Sequence, residues 1–226
     1  MEPYATVKAI LFDHDGTLVD SEPVHFQMWC DLLAPHGVSL SQENYRKHHA
    51  GMPAISNAQS FVQRNKLTVS AESLADAKQA ATQSHLARQG FPLLPGVSDS
   101  IALFQRNGMQ TAVVTAAARM AVLASLQAHA MEDLFCEIVS LDDVDQGKPA
   151  PDGYLFALAR LGLGANECIA IEDTEHGVSA AADAGIACLA VPTDMSRHHD
   201  FSRATACFDN LAEATQWVVD RYGLTR

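Results

Sequence analysis

The chain has 226 residues, with 27 acidic and 15 basic side chains and a formal net charge of −12. That balance, with no cluster or stripe of Lys and Arg, argues against a nucleic-acid or anionic-membrane surface. No apolar run approaches the ~20 residues that cross a bilayer, and the length suffices for a core burying about 70% of the unfolded surface, as one domain with an insertion or as two small domains.

In chain order, the first element is an apolar strand at 9–12 that runs into Asp13-His14-Asp15-Gly16-Thr17. Ser21-Glu22-Pro23 reads as a helix start with Pro in the first turn, and Val24, Met28, Leu32 and Leu33 follow at helical spacing up to Pro35-His36-Gly37. Further helices are predicted at 41–50, 54–66 and 70–89 with no strand between them. Gly90 to Gly96, with two prolines, is the clearest punctuation in the chain. Beyond it helices at 97–107, 119–129, 152–162, 175–184 and 210–222 alternate with strands at 110–114, 137–141, 168–171 and 187–191. Alternation of this kind implies an α/β fold, a doubly wound, Rossmann-like parallel sheet with helices on both faces. The division expected is a Rossmann-like core of 1–18 and 93–226, with an inserted all-helical cap of 19–92. Five scattered cysteines without a Cys-x-x-Cys pair read as small buried hydrophobes in a reducing compartment. The first residues do not form a charged stretch followed by a long apolar one, so no signal peptide and a cytoplasmic location are expected.

Carboxylates beside buried apolar surface are costly unless something pairs with them or uses them. Alternate side chains of a strand share a face, so Asp13 and Asp15 converge while His14 points away. Two acids at a strand end suit a hard cation such as magnesium, with one left for chemistry. Open parallel sheets bind ligands beyond the carboxyl ends of their strands. Three further ends carry polar groups there: Thr115 after Val114, Lys148 in Gly147-Lys148-Pro149, and Glu172-Asp173 after Ile171. Taken singly, Thr115 reads as a cap or turn residue, Lys148 as a solvated lysine and Glu172-Asp173 as a helix start favoured by the dipole. Together they place two acid pairs, a hydroxyl and an ammonium at one edge of one sheet.

The ordered set Asp-x-Asp-Gly-Thr, Thr115, Lys148-Pro-x-Pro-Asp and Glu172-Asp173 resembles the haloacid dehalogenase superfamily, in its phosphatase and β-phosphoglucomutase-like branch with a small helical cap. The resemblance extends to Leu18-Val19-Asp20-Ser21-Glu22 and to the run from Glu172 to Gly177 and on to Gly185. It implies Asp13 as nucleophile forming an aspartyl phosphate, and Asp15 as general acid for the leaving alcohol and then base for water. It further implies Mg2+ held by the Asp13 carboxylate, the Asp15 carbonyl and Asp173, with Glu172 behind them. Lys148 and Thr115, with backbone N–H groups near His14, Asp15 and Ala116, would hold the phosphoryl oxygens. His25 and Trp29, four apart on the first cap helix, match a stretch that faces the catalytic floor in the β-phosphoglucomutase branch. His25 is accordingly a candidate substrate contact, against the alternative that both residues pack the cap or hinge.

The expected activity is a magnesium-dependent phosphomonoesterase acting on a small phosphorylated metabolite, a sugar or polyol phosphate, in a chain compatible with a monomer. A phosphosugar mutase needs a second phosphate grip, but the position three residues after Gly51, an arginine in β-phosphoglucomutase, is Ala54 here. The run Ala116-Ala117-Ala118 likewise lacks that enzyme's polar residues, leaving Arg46, Lys47 or Arg64 as replacements. A dehalogenase typically lacks the second acid of the first motif, which is present as Asp15. A non-catalytic module would normally have lost Asp13, Asp15, Lys148 or Asp173. The pairs His48-His49 and His198-His199 come without a thiol or carboxylate at metal-ligand spacing, and His176 reads as a helix-start residue.

Overall fold

The computed structural model describes residues 7–225; residues 1–6 of the expected core segment, with the N-terminal part of the signal-peptide reading, and residue 226 lie outside them. Strand β1 (Ala9–Phe12) is followed by four helices, α1 (Glu22–Leu33), α2 (Gln42–His48), α3 (Ala54–Asn65) and α4 (Ala71–Leu86), before a second strand appears. From there the chain alternates through α5 (Val97–Arg106), β2 (Gln110–Val114), α6 (Arg119–Gln127), β3 (Glu137–Val139), α7 (Asp152–Leu161), β4 (Cys168–Glu172) and α8 (Glu175–Asp183). It finishes with β5 (Ala187–Ala190), β6 (Ala206–Cys207) and α9 (Leu211–Tyr222). The two-residue β6 was not expected; a pair of residues is too short to carry a periodic signal.

All six strands are parallel, in the order β3-β2-β1-β4-β5-β6. This is a doubly wound, Rossmann-like α/β sheet. The sequence explains why each face is covered. Ile10 and Phe12 of β1, with Val113, Ile169, Ile171 and Leu189, point to the side packed by α5, α6 and α9. Ala9 and Leu11, with Ala112, Val114, Ala170 and Ala190, point to the other side, packed by α7 and α8. Small residues dominate that second face, so α7 and α8 lie close against the strands. Every residue of β1 is fully buried, as a strand flanked by neighbours and covered by helices must be.

The chain runs from β1 to β2 on one side of the sheet centre and reaches β4 on the other. Loops after β1, β2 and β4 therefore part above the strand ends and leave a crevice, the usual ligand position of such sheets. The four helices after β1 have an apolar cluster of their own, built on Trp29, Leu33, Tyr45, Ala58, Phe61 and Leu74. The segments joining them to the sheet run side by side. Val19 bridges Leu93, Asp20 N–H donates to the Pro92 carbonyl at 2.8 Å, and Leu94 N–H donates to the Leu18 carbonyl at 3.0 Å. No helix among the described residues is long and apolar enough to cross a membrane.

Candidate active site

The site begins where β1 ends. Asp13 N–H still donates to the Ile171 carbonyl of β4 at 3.0 Å, so the first acid is held in register beside the end of that strand. The chain then turns. The His14 carbonyl accepts from the N–H groups of Leu18 and Val19 at 2.9 and 3.1 Å, and Gly16 N–H donates to Val19 O at 2.8 Å. Gly16 has φ +85°, and a Cβ there would overlap the Asp173 carboxyl, so the turn requires glycine on both counts. Gly177, in the first turn of α8, has the same relation to Glu172, whose carboxyl a Cβ would overlap.

Lys148 is the hub. Its side chain is 9% exposed, and Nζ donates to Asp13 Oδ1 and Glu172 Oε1, both at 2.5 Å, and to the Val114 carbonyl at 2.8 Å. Tyr154, fully buried on α7, donates its hydroxyl to the same Glu172 oxygen at 2.7 Å, and its ring lies 5.4 Å from the Lys148 ammonium. The Ser196 hydroxyl reaches Asp173 Oδ2 at 3.4 Å. Burial works against the Lys148 charge, but Asp13 and Glu172 outweigh it and hold the ammonium above its ordinary range. Burial also pushes the Asp13 carboxyl up to about 7, opposed by Lys148 and assisted by Glu172. Asp173 is raised well above its ordinary value by burial and by Asp13 and Glu172.

These groups imply a cation. Asp13, Glu172 and Asp173 each offer an oxygen, all within 4.8 Å of one another, and all three residues are buried. One ammonium faces three carboxylates, and Glu172 Oε2 and Asp173 Oδ1 are buried without a hydrogen-bond partner. A hard divalent ion with oxygen ligands answers both the surplus charge and the orphaned oxygens. The donor set is all carboxylate, which fits magnesium and not a soft metal.

Asp15 stands apart from that trio. Its side chain is 30% exposed and faces His14, whose Nδ1 lies 3.3 Å from Asp15 Oδ2. The expected alternation, with His14 turned away, fails because the strand ends at Phe12 and its period-two rule lapses in the turn. Burial works to raise the Asp15 carboxyl, yet His14, then His25 and Ser21, hold it below the ordinary range. Thr115 is buried after β2, and its Oγ1 accepts from Ala117 N–H at 3.1 Å. The hydroxyl therefore caps its own turn and keeps its proton free to donate. Ala116 is exposed beside it at the same edge.

Across from the sheet, His25 Nδ1 on α1 lies 3.0 Å from Lys78 Nζ on α4. Burial and the Lys78 charge push the His25 imidazole down to about 4, so at neutral pH its Nδ1 is a free acceptor for that ammonium. The His25 ring packs edge-on against Phe91 at 5.1 Å. Trp29 packs in the cap cluster against Phe61 at 5.1 Å, with the Lys78 ammonium 5.8 Å from its ring. Lys78 and Tyr154 escaped the reading of the sequence. Lys78 left one trace: it falls four residues after Leu74 on the buried stripe of its helix, where an aliphatic residue is the ordinary choice. His49 stacks on Phe61 at 4.2 Å with Nδ1 2.8 Å from Asn57 Oδ1, so it is a cap-core residue. Among the described residues neither histidine pair forms a metal-holding cluster. Arg46, Lys47 and Arg64 are exposed on the cap helices.

Comparison with known proteins follows the same lines. Residues 10–191 match the family model for haloacid dehalogenase-like hydrolases. The chain is 34% identical to protein CbbY of Rhodobacter capsulatus over 94% of this chain and 97% of that one. It is 29% identical to the fructose-1-phosphate phosphatase YqaB of Escherichia coli K12, over 81% and 95%. A crystal structure of a mutant CbbY of Rhodobacter sphaeroides in complex with xylulose-(1,5)bisphosphate superposes with a TM-score of 0.80 at 29% identity, covering 92% of this chain and 96% of that one. The chain belongs to the haloacid dehalogenase-like hydrolases, in their phosphatase and β-phosphoglucomutase-like branch.

Proposed function

We propose that this enzyme hydrolyses a phosphate monoester of a small sugar or polyol, through an aspartyl phosphate on Asp13 and with Mg2+ as its metal. The observation that carries this reading is the Asp13 carboxylate itself, clamped at 2.5 Å by Lys148 beside a second acid pair that lacks enough positive charge. The names of the relatives, a fructose-1-phosphate phosphatase and a protein crystallised with a sugar bisphosphate, support the substrate class.

Lys148 takes one Asp13 oxygen and leaves the other to attack phosphorus. The P–O bond to the sugar breaks as the Asp13–phosphorus bond forms, and the leaving oxygen takes its proton from Asp15. Water then attacks the phosphoryl group, Asp15 accepts its proton, and Asp13 is released with inorganic phosphate. A phosphate dianion beside the Asp15 carboxyl raises its affinity for a proton, so its protonation accompanies substrate binding. Lys148 and the Thr115 hydroxyl neutralise and orient the phosphoryl oxygens, which is where most of the rate arises in such transfers. Asp13, Asp173 and the Asp15 carbonyl would hold the magnesium, with Glu172 bracing Lys148 behind them; bound there, it supplies charge neutralisation for the transferring phosphoryl group. On the cap, His25 and Lys78 form a polar pair that interacts electrostatically with Asp15 and would contact the sugar.

The test is phosphate release from a panel of sugar and polyol phosphates, with magnesium and with a chelator. Magnesium-dependent release, abolished in Asp13→Asn, is the expected result. Isomerised ester without free phosphate would replace hydrolysis by mutase chemistry, against which Ala54 already speaks.

A further inference from the structure

His14 sits between the two acids of the first motif and is 1% exposed. Neither ring nitrogen has a hydrogen-bond partner, a costly state that an apolar side chain of similar size would avoid. The backbone around it is fixed by the N–H groups of Leu18 and Val19 on its carbonyl, so the ring has little freedom to seek a partner elsewhere. One group is within reach: Asp15 Oδ2 lies 3.3 Å from Nδ1, near enough for a hydrogen bond though not aligned for one. The Asp15 side chain is 30% exposed, and the oxygen that lies against the imidazole is Oδ2.

We propose that His14 is a positioning residue for Asp15: an N–H at its Nδ1 holds Oδ2 and thereby aims Oδ1 at the oxygen of the departing alcohol. A small rotation of the Asp15 carboxyl aligns the pair. With the proton on Nδ1, the buried Nε2 is left only as an acceptor, which settles the tautomer the device uses. A carboxyl free to swing about its terminal torsion would spend much of its time misdirected, since that torsion is broad and two-fold. Fixing it pre-orients the proton donor and costs nothing at the moment of reaction. The effect reaches only steps that need the proton, so esters with poor leaving groups depend on His14 and activated ones do not. The inference rests on the reading of Asp15 as general acid given above.

Three variants test it through the dependence of kcat/KM on leaving-group pKa, from p-nitrophenyl phosphate through phenyl phosphate to alkyl phosphates, with saturating magnesium. This quantity reports the steps through formation of the phosphoenzyme, whichever later step limits turnover. In His14→Leu, alkyl phosphates should lose about tenfold or more while p-nitrophenyl phosphate stays within about twofold, a share of the 10²–10⁴ that general acid catalysis supplies. His14→Asn places an amide nitrogen near the position of Nδ1 and should return the slope of the unmodified enzyme. His14→Gln reaches the position of Nε2 instead and should keep the steep one. The Asn and Gln pair decides the matter if His14→Leu fails to fold. An equal loss for every ester, an unchanged slope, or Asn and Gln variants that behave alike would overturn the assignment. Absence of phosphate release from the unmodified enzyme with any ester is a separate result, which overturns the hydrolase reading first and this one with it.

Discussion

The sheet edge and the cap solve the problem of buried charge in opposite ways. At the sheet edge three carboxylates crowd one ammonium, two of their oxygens have no partner, and two of the acids are driven up by burial. In the cap one carboxylate and one ammonium are matched and surrounded. Glu22 accepts from the Tyr45 hydroxyl at 2.7 Å and from Gly51 N–H at 2.9 Å, while Lys78 meets His25 and the Thr82 hydroxyl, both at 3.0 Å. The first cluster holds more carboxylate than its one ammonium matches; in the second each charged group has hydrogen-bond partners that tie the cap segments together. An incomplete buried cluster is what chemistry requires, because its deficit is met by the ligand. A complete one gives shape and selects among ligands.

The comparison breaks most visibly at Lys148 and Asp13. Asp13→Asn should lower phosphate release by about 10³ or more, as loss of a nucleophile does, with the fold retained in circular dichroism. Lys148→Met should cost about 10²–10³ in kcat, the scale for one oxyanion donor. It should also destabilise the metal-free protein by about 3–5 kcal/mol, since two buried carboxylates lose their partner. Magnesium should recover more stability in this variant than in the unmodified protein, measured by denaturant unfolding. Equal recovery in both would mean that the cation and Lys148 do not share those carboxylates.

Lys78→Met sharpens the comparison from the other side. If the cap selects and the sheet edge reacts, this variant should lose about ten- to a hundredfold in kcat/KM for sugar phosphates, the scale of one charged hydrogen bond. p-Nitrophenyl phosphate, with no sugar to recognise, should change by less than about threefold on the same scale. Equal losses for both would move Lys78 from selection to chemistry.

The two clusters also differ in how far the sequence discloses them. Asp13, Thr115, Lys148 and Glu172-Asp173 each follow directly on a strand or sit in a short proline-bounded motif. One-dimensional spacing therefore carries their three-dimensional order, and the strand pattern supplies the rest. The cap pair joins residues 53 positions apart on two helices, and whether they face each other depends on a helix-packing angle that no spacing records. Tyr154 is hidden for a similar reason: it reaches Glu172 across the small-residue face of the sheet, between α7 and β4. The fold itself was legible because the long alternation after Gly96 leaves few topologies open. His14 departs from strand periodicity because it lies two residues beyond the end of its strand.

Proton linkage separates the clusters again. Asp13 titrates at about 7 and Asp173 is also raised in the metal-free state, so a cation binding there must displace protons below that pH. Magnesium affinity should rise with pH by up to about tenfold per unit for each proton displaced, with calorimetric heats that depend on the buffer. Affinity independent of pH from 5 to 8 would place the metal away from these acids.

The smallest effect belongs to the cap. His25 sits at about 4 in the folded protein, because burial and Lys78 disfavour its charge, against about 6.5 in the unfolded chain. Between those values the unfolded state binds more protons, so the neutral imidazole stabilises the fold fully above pH 6.5, and that stability drains away as pH falls toward 4. In His25→Asn this contribution is absent. The unfolding free energy of the unmodified protein should therefore fall more steeply over that window, with a difference on the order of 1 kcal/mol by pH 5 after allowing for the partial exposure of the ring. Parallel curves would show that burial and Lys78 do not hold His25 neutral in solution, and that the His25–Lys78 pair is open to water before any substrate arrives.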